Sequence, residues 1–236
     1  MKKYIFIILL SVNLYSSADD GEKYFDIGMD FIAKKNYDDA IKNYKKACDY
    51  GHGDGCYFLG DLYAHLKKER DMAIPFYKQS CNIRIKEKLR IQGYGEFGPC
   101  RNVALYFIDK GLRGNEDIIE EYMKKSCDLN NFTSCANLGK FYYMHKREKE
   151  SIIFMKKACD LGSNIGCDSI GQFYLEGIGG LKKDYEKGIS LLNKACNNKY
   201  EEACIHKIAY QLENKIPEKD KEEFSSSLKN LNIPKD

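Results

Sequence analysis

Five pairs of cysteines recur along this chain of 236 residues, and four of them share one spacing. Each of these four encloses seven residues; the first reads "CDYGHGDGC", from Cys48 to Cys56. The fifth pair, Cys81 and Cys100, encloses 18 residues. The first cysteines of successive pairs lie 33, 46, 32 and 37 residues apart. Because periods of about 20–50 residues are typical of stacked supersecondary units, this spacing predicts a solenoid of repeats.

The first cysteine pair also encloses His52 and Asp54, so this segment alone could be a metal site. Neither residue recurs in the other copies, whereas the cysteines do. A tetrahedral metal site usually combines two cysteine pairs, and here the pairs are a whole repeat apart. We therefore predict disulfides rather than a metal site, with metal binding and free thiols as the alternatives, and we interpret His52 as a solvated loop residue. The predicted bonds are Cys48–Cys56, Cys81–Cys100, Cys127–Cys135, Cys159–Cys167 and Cys196–Cys204.

A disulfide across seven residues requires a turn between its cysteines. Residues eight apart on a straight helix are separated by about 12 Å, whereas the Cα atoms of a disulfide lie within about 7 Å. Gly51, Gly53 and Gly55 suit a turn in the first copy. Each bond is therefore expected to join the end of one helix to the start of the next, and we call this arrangement a clip.

Amphipathic helices are predicted on both sides of each clip. In segments such as "YDDAIKNYKKAC", a large residue lies four positions before the cysteine and a mostly small one lies eight before, which is the spacing of one buried helical face. After the second cysteine, "CYFLGDLY", "CANLGKFYY" and "CDSIGQFYLEG" repeat an aliphatic residue, a glycine and a tyrosine. These patterns predict an all-α fold of antiparallel helix pairs.

Two motifs, Leu59–Tyr63 ("LGxxY") and Ala40–Cys48 ("AIxxYxKAC"), resemble Sel1-like repeats, which are relatives of the tetratricopeptide repeat. With its paired cysteines the chain is similar to the secreted Helicobacter cysteine-rich protein family over about residues 22–210. This resemblance implies a right-handed all-α solenoid of disulfide-clipped antiparallel helix pairs, with about five repeats over residues 19–210. It also implies penicillin binding or weak β-lactamase activity, which some members of that family are described as having.

The two ends of the chain differ from the repeats. Lys2 and Lys3 precede an apolar run, and small residues follow up to Ala18, which is typical of a secretory signal peptide over residues 1–18. The apolar run is too short to favour a membrane span. We therefore expect a secreted or periplasmic protein without a membrane span after cleavage. Residues 211–236 are polar and amphipathic, and are predicted to form a C-terminal capping helix.

The segment between Cys81 and Cys100 is longer than the others by 11 residues. It carries Arg84, Lys86, Lys88 and Arg90, followed by a glycine-rich stretch. It is interpreted as a lengthened helix with a solvated basic face, and the alternative is a binding edge.

Catalytic motifs are sparse in this sequence. Ser226–Lys229 ("SSLK") matches the S-x-x-K of serine β-lactamases, but S-D-N and K-T-G do not occur. The four histidines share no spacing that would suit a metallo-hydrolase. "NFT" at Asn131 matches a glycosylation acceptor, but it lies inside a clipped turn. The catalytic residues are therefore unknown, and no cofactor or metal is expected.

Binding is the function that this architecture favours, because stacked helix pairs leave an extended concave face. In tetratricopeptide repeats the residue after "LG" often faces a bound peptide. The resemblance assigns that role to Asp61, Lys140 and Gln172, with Leu105 in the degenerate copy, and Asn137 shares a face with Lys140; a solvated face is the alternative. We predict a monomeric, exported scaffold for a peptide, a cell-wall fragment or a protein. The alternative is a weak β-lactamase. The net charge of +3 gives no reason to expect nucleic acid.

Overall fold

The computed structural model describes residues 19–86 and 98–213, and within them the chain is helical and contains no strand. The first helix, α1, comprises residues 19–33. The helices that follow in the described residues are α2 Tyr37–Asp49, α3 Gly53–Asp61, α4 Arg70–Lys86, α5 Pro99–Lys110, α6 Glu116–Asp128, α7 Phe132–Met144, α8 Glu148–Asp160, α9 Asn164–Glu176, α10 Tyr185–Asn197 and α11 Glu201–Glu213. A π-helical turn, Leu62–Leu66, continues α3, and a 3₁₀ turn, Ile178–Gly180, follows α9. The predicted all-α class is confirmed.

The chain divides into two compact units, of which unit 1 ends at Ser134 and unit 2 begins at Cys135. In unit 1, successive helices pack against each other from α2 through to α6. In unit 2, the same holds from α8 to α11. This pattern of packing between neighbours is the one expected of stacked helix pairs. A single solenoid domain over residues 19–210 stays a prediction, and the predicted signal peptide, the capping helix beyond residue 213 and Ser226–Lys229 lie outside the described residues.

Disulfides join successive helices, as the cysteine spacing predicts. The Cα atoms are 4.5 Å apart in Cys48–Cys56, and the three other bonds with described geometry are Cys81–Cys100 at 4.9 Å, Cys159–Cys167 at 4.4 Å and Cys196–Cys204 at 4.8 Å. Cys127 and Cys135 are also disulfide-bonded. Three of these four clips lie where the last turn of one helix meets the first turn of the next, whereas Cys81 lies within α4, five residues before Lys86. In the part of the chain that the structure describes, no group of three potential ligand side chains could hold a metal ion.

The fourth position after the first cysteine caps the second helix of the pair. Nδ1 of His52 accepts a hydrogen bond from the backbone N–H of Gly55 at 3.1 Å. The side-chain oxygens of Asn131 and Ser163 do the same for the N–H groups three residues further on. These caps satisfy N–H groups that a helix leaves unpaired at its start. The clips therefore include a capping residue whose chemical type varies between repeats.

The interpretation of His52 as a solvated loop residue was wrong. Its side chain is only 18% exposed, its Nε2 lies 2.8 Å from Oε2 of Glu22, and its ring centroid lies 4.7 Å from that of Phe25. The helix cap and the packing against α1 hold it in place. Asn131 is likewise buried, so the apparent glycosylation acceptor is a helix cap.

The solvated basic face predicted after Cys81 is also wrong at its first position. Arg84 is buried and forms an ion pair with Asp54 at the start of α3. A buried guanidinium needs such a partner, because an unpaired buried charge is costly. Residues 87–97, which include Lys88 and Arg90, lie outside the described residues.

The core explains why "LG" recurs. A Cβ atom built on Gly60 would lie 2.8 Å from the ring of Tyr77, four residues before the next clip, and one built on Gly139 would lie 2.8 Å from Met155. The glycine therefore admits the large residue of the following helix. Tyr44 and Leu192, at the same position as Tyr77 in their own repeats, are fully buried, which confirms the predicted buried stripe.

Candidate functional site

A cavity of about 430 Å³ lies in unit 1 between α3, its π-helical turn, α4 and α5. We call it the cleft. Its size is in the range of small-molecule and peptide pockets. The residues that line it are Tyr57, Asp61, Ala64, His65, Arg70, Ile74, Tyr77, Arg101, Asn102, Leu105 and Tyr106. The cleft therefore brings together two of the residues singled out in the sequence, Asp61 and Leu105.

Asp61 provides the negative charge of the cleft. It lies at the end of α3, where the Tyr77 hydroxyl donates a hydrogen bond to its Oδ1 at 2.6 Å. Burial raises the pKa of the Asp61 carboxyl, while the hydrogen bond from Tyr77 acts in the opposite direction. Burial and the nearby carboxylate both raise the pKa of Tyr77, so this phenol stays protonated and acts as a donor.

Arg101 provides a positive charge that forms no ion pair with a described residue. It lies in the first turn of α5, directly after Cys100. Its Nε is buried and has no hydrogen-bond partner in the described residues. Arg70, which also lines the cleft, already pairs with Asp109 at 2.8 Å. Because an arginine carries its charge at any ordinary pH, the Arg101 guanidinium is a cation available for a ligand.

Apolar and aromatic surfaces form the remaining walls of the cleft. Ile74 is almost completely buried, and Leu105 is partly buried beside it in the lining. The Tyr106 hydroxyl donates to Asp71 at 2.8 Å, which fixes this ring at the rim. The cleft thus combines two opposite charges with apolar area, as binding pockets commonly do.

Unit 2 contains a polar cluster that we call the Asp168–His206 pair. Nδ1 of His206, on α11, lies 2.8 Å from Oδ1 of Asp168, on α9. The second carboxylate oxygen accepts a hydrogen bond from Nε2 of Gln172 at 3.0 Å. An ionised carboxylate only accepts, so Nδ1 of His206 carries the proton in this bond. The hydrogen bond with Asp168 raises the pKa of His206 against the opposing effect of burial.

The cleft and the Asp168–His206 pair occupy corresponding positions of their repeats. Counted from the second cysteine of each clip, the positions are the first, second, fifth and sixth. They hold Tyr57 and Asp61 on α3, Arg101, Asn102, Leu105 and Tyr106 on α5, Asp168 and Gln172 on α9, and His206 and Tyr210 on α11. The sequence analysis used the fifth position alone. The first and second positions, which carry Arg101, Asp168 and His206, were missed, although the same count from the cysteine identifies them.

The remaining predicted binding residues lie on α7. Lys140 is exposed and Asn137 is partly buried, and neither lines the cleft. Their assignment to a binding face stays a prediction. Gln172 belongs to the Asp168–His206 pair rather than to the cleft.

Comparison with protein families matches a Sel1 repeat model to residues 26–52, 53–82, 133–163 and 166–200, which together exceed half of the chain. Mouse (Mus musculus) cytochrome c oxidase assembly factor 7 is 32% identical over 114 residues. The matched region is 46% of this chain and 48% of the mouse protein, so the chain spans about half the length of this curated relative.

The likeness extends to the fold of a solved structure. A protective antigen of uropathogenic Escherichia coli strains, described as having an SLR fold, superposes with a TM-score of 0.60 at 19% identity over 87% of this chain and 44% of that one. Helicobacter pylori cysteine rich protein B matches 60% of this chain and 97% of its own at 24% identity, with a TM-score of 0.42. Among the described residues, no helix is both long and apolar enough to cross a membrane.

Proposed function

The chain belongs to the Sel1 repeat family, and we propose that it is an exported, disulfide-stabilised scaffold that binds a peptide, cell-wall fragment or protein partner. Repeat proteins of this type commonly act through extended binding surfaces. The mouse relative is by its name an assembly factor. A partner-binding role for this chain would be of the same general kind as the role that this name describes. Of the three ligand classes, we favour a peptide segment, free or within a protein, as the occupant of the cleft.

The observation that carries this proposal is the cleft of unit 1. Arg101 lines the cleft and has no ion-pair partner among the described residues, and burial of Asp61 in the same cleft raises the pKa of its carboxyl. A partner would complete both interactions. The clip Cys81–Cys100 joins α4 to α5, two walls of the cleft, so the site is held in shape before a ligand arrives.

Export is supported by the cysteines and by the predicted leader. None of the ten cysteines is free in this structure, and disulfides persist mainly in oxidising compartments. Residues 1–18 have the composition of a secretory signal peptide. The test is fractionation of cells producing the full chain, with mass spectrometry of the product. Export predicts a chain that begins after Ala18 outside the cytoplasm, and an unprocessed cytoplasmic chain with reduced cysteines would refute it.

The binding test uses a random peptide library selected on the oxidised mature protein. Peptides that occupy the cleft should bind wild type saturably and should bind Leu105→Arg at least about tenfold more weakly, because a long cation replaces an apolar wall. Ile153→Arg is the matched control: this residue is exposed on α8 of unit 2, so its variant should bind like wild type. Selected peptides that bind all three proteins equally would refute binding in the cleft.

Weak β-lactam hydrolysis is the second candidate, and the Asp168–His206 pair is the observation that favours it. A buried carboxylate orients the imidazole, and in the described residues Nε2 of His206 has no hydrogen-bond partner, so it could accept a proton from water. The test follows penicillin hydrolysis together with the intact mass of the protein. Catalytic turnover that His206→Gln abolishes would support this activity. Intact drug and unmodified protein would refute it.

A further inference from the structure

The cleft holds two opposite charges that are not paired with each other. Asp61 and Arg101 both line the same cavity of about 430 Å³, and no ion pair joins them in the described structure. We propose that the cleft binds a short zwitterionic peptide ligand, whose free ammonium group pairs with Asp61 and whose free carboxylate pairs with Arg101. This inference rests on the proposed peptide-binding function and specifies the chemistry of its ligand.

The position of Arg101 in the cleft indicates that the ligand carries a carboxylate. Arg101 lines the cleft, and a ligand carboxylate bound there would balance the charge of its guanidinium. Carboxylates match the planar guanidinium geometrically and can accept two parallel hydrogen bonds from it. In the described part of unit 1, no carboxylate forms an ion pair with Arg101. Asn102, its neighbour in the lining, already hydrogen-bonds with Tyr77.

The position of Asp61 in the cleft indicates that the ligand carries an ammonium group. Burial disfavours the charged form of this carboxylate, and its described polar contacts come from neutral tyrosine hydroxyls rather than from a cation. The Tyr77 hydroxyl already donates a hydrogen bond to Oδ1 of Asp61. A ligand ammonium group would favour the ionised carboxylate and restore the solvation that burial removes. A positive charge on His65 would lower the pKa of the Asp61 carboxyl, against the effect of burial.

One dipolar ligand explains both charges better than a ligand of single charge. A purely anionic ligand would satisfy Arg101 but approach the Asp61 carboxylate unfavourably, and a purely cationic ligand would do the reverse. A short peptide with free ends carries both charges and a side chain between them. Leu105 and Ile74 provide apolar area for that side chain.

The test compares one dipeptide, Ala-Leu, in three forms by isothermal titration calorimetry: with both ends free, with an acetylated amine, and with an amidated carboxylate. The free form should bind best, and each cap should weaken binding about tenfold, as expected for loss of one charge-assisted pair. Because this comparison uses the wild-type protein, it does not depend on the folding of any variant.

Two variants assign each end of the ligand to its residue. Asp61→Asn should lose the preference for the free amine but keep the preference for the free carboxylate, and Arg101→Gln should do the opposite. Glu150→Gln, at a partly exposed carboxyl on α8 that pairs with Arg147, is the matched control and should keep both preferences. Circular dichroism melting curves establish that all variants are folded.

The outcomes separate this inference from the function on which it rests. Equal binding of the three dipeptide forms would overturn the zwitterionic ligand, as would a dissociation constant weaker than about 1 mM for the free form. In either case, library-selected peptides that still depend on Leu105 would leave the peptide-binding function standing. Failure of those peptides as well would remove both proposals.

Discussion

The cleft of unit 1 and the Asp168–His206 pair of unit 2 are built at the same repeat positions but have different chemistry. Five residues after the second cysteine, unit 1 has Asp61 and unit 2 has Gln172. In unit 1 the carboxylate contacts a tyrosine and shares a cavity with an arginine that has no ion-pair partner in the described part of the chain. In unit 2 the amide of Gln172 and the imidazole of His206 both bond to Asp168 instead.

This difference separates the parts of a repeat that maintain the fold from the parts that are free to vary. Both units share the clips, the close-packed glycine and the large residue that packs on it. The side chains at the first, second, fifth and sixth positions after the clip differ in chemical type between repeats, and those at the second and fifth positions are not fully buried in any described repeat. Polar groups at these positions that lack a partner within the unit therefore indicate binding, whereas polar groups that pair within the unit stabilise it.

Removal of the disulfides is the largest perturbation expected, and loop length should order the effects. Cys81–Cys100 spans a sequence separation of 19 and Cys159–Cys167 one of 8. Loop-closure entropy gives losses in unfolding free energy of about 3.3 and about 2.6 kcal/mol for the two double Cys→Ala variants. Urea unfolding measures both. Only the first variant should also lose peptide binding, since α4 and α5 form walls of the cleft.

The reverse order of stabilities would show that packing of the sulfur atoms, rather than loop length, determines what each clip contributes. Peptide binding lost equally in both variants would contradict the placement of the site in unit 1.

The close-packed glycines give the next largest difference. Alanine at Gly60 would press on the aromatic ring of Tyr77, whereas alanine at Gly139 would meet the flexible side chain of Met155. Overpacking lowers the free energy of unfolding by about 1–3 kcal/mol. Replacing a helical glycine by alanine raises it by about 1 kcal/mol, because alanine has the higher helix propensity. Gly60→Ala should therefore lower the free energy of unfolding by about 1 kcal/mol. Gly139→Ala should leave it almost unchanged. Urea unfolding measures both. Equal losses would show that the two contacts are equally rigid.

The fold could be predicted from the sequence because its determinants recur at fixed distances from cysteines. The spacing of Cys48 and Cys56 requires a turn, and the residues four and eight positions upstream identify the buried face. The helix caps were harder to recognise. His52, Asn131 and Ser163 are chemically different, and they share only an acceptor atom at the same position.

The site could be predicted only in part, because it depends on contacts between repeats. Asp61 and Leu105 come from different clips, and sequence alone does not show that they line one cavity. Arg101 follows a cysteine in a degenerate copy, and whether its Nε finds a partner depends on the packing of α3 to α5. Likewise the hydrogen bond between Asp168 and His206 joins residues 38 positions apart.

The hydroxyl of Tyr77 provides a smaller and more specific test of unit 1. Tyr77→Phe removes the donor to Asp61, so the pKa of this carboxyl should rise further above its ordinary value of 3.8. The loss in stability at pH 7 should be about 1 kcal/mol. Carbon-13 NMR titration of the Asp61 carboxyl measures the pKa directly. Tyr106→Phe removes a bond to Asp71 instead and should leave Asp61 unchanged; a lowered pKa of Asp61 in Tyr77→Phe would contradict the contact.

The smallest effect concerns pH, and it distinguishes the two units by the range in which stability changes. Asp61 and His206 both have folded-state pKa values above their ordinary ones, 3.8 and 6.5, so each folded site binds its proton more tightly than the unfolded chain does. Stability linked to Asp61 therefore falls as the pH rises above 3.8. Stability linked to His206 is complete below pH 6.5 and is lost as the pH rises through its folded pKa.

Asp168→Asn should remove the second of these declines and leave the first, because it neutralises the partner of His206 without touching unit 1. Urea unfolding measured between pH 3 and pH 9 follows both, and His145→Gln, at an exposed position of unit 2, is the control that should retain both. A decline above pH 6.5 that persists in Asp168→Asn would mean that other groups cause it. Its loss would show that unit 2 uses internally, for stability, the helix face that unit 1 leaves open to a ligand.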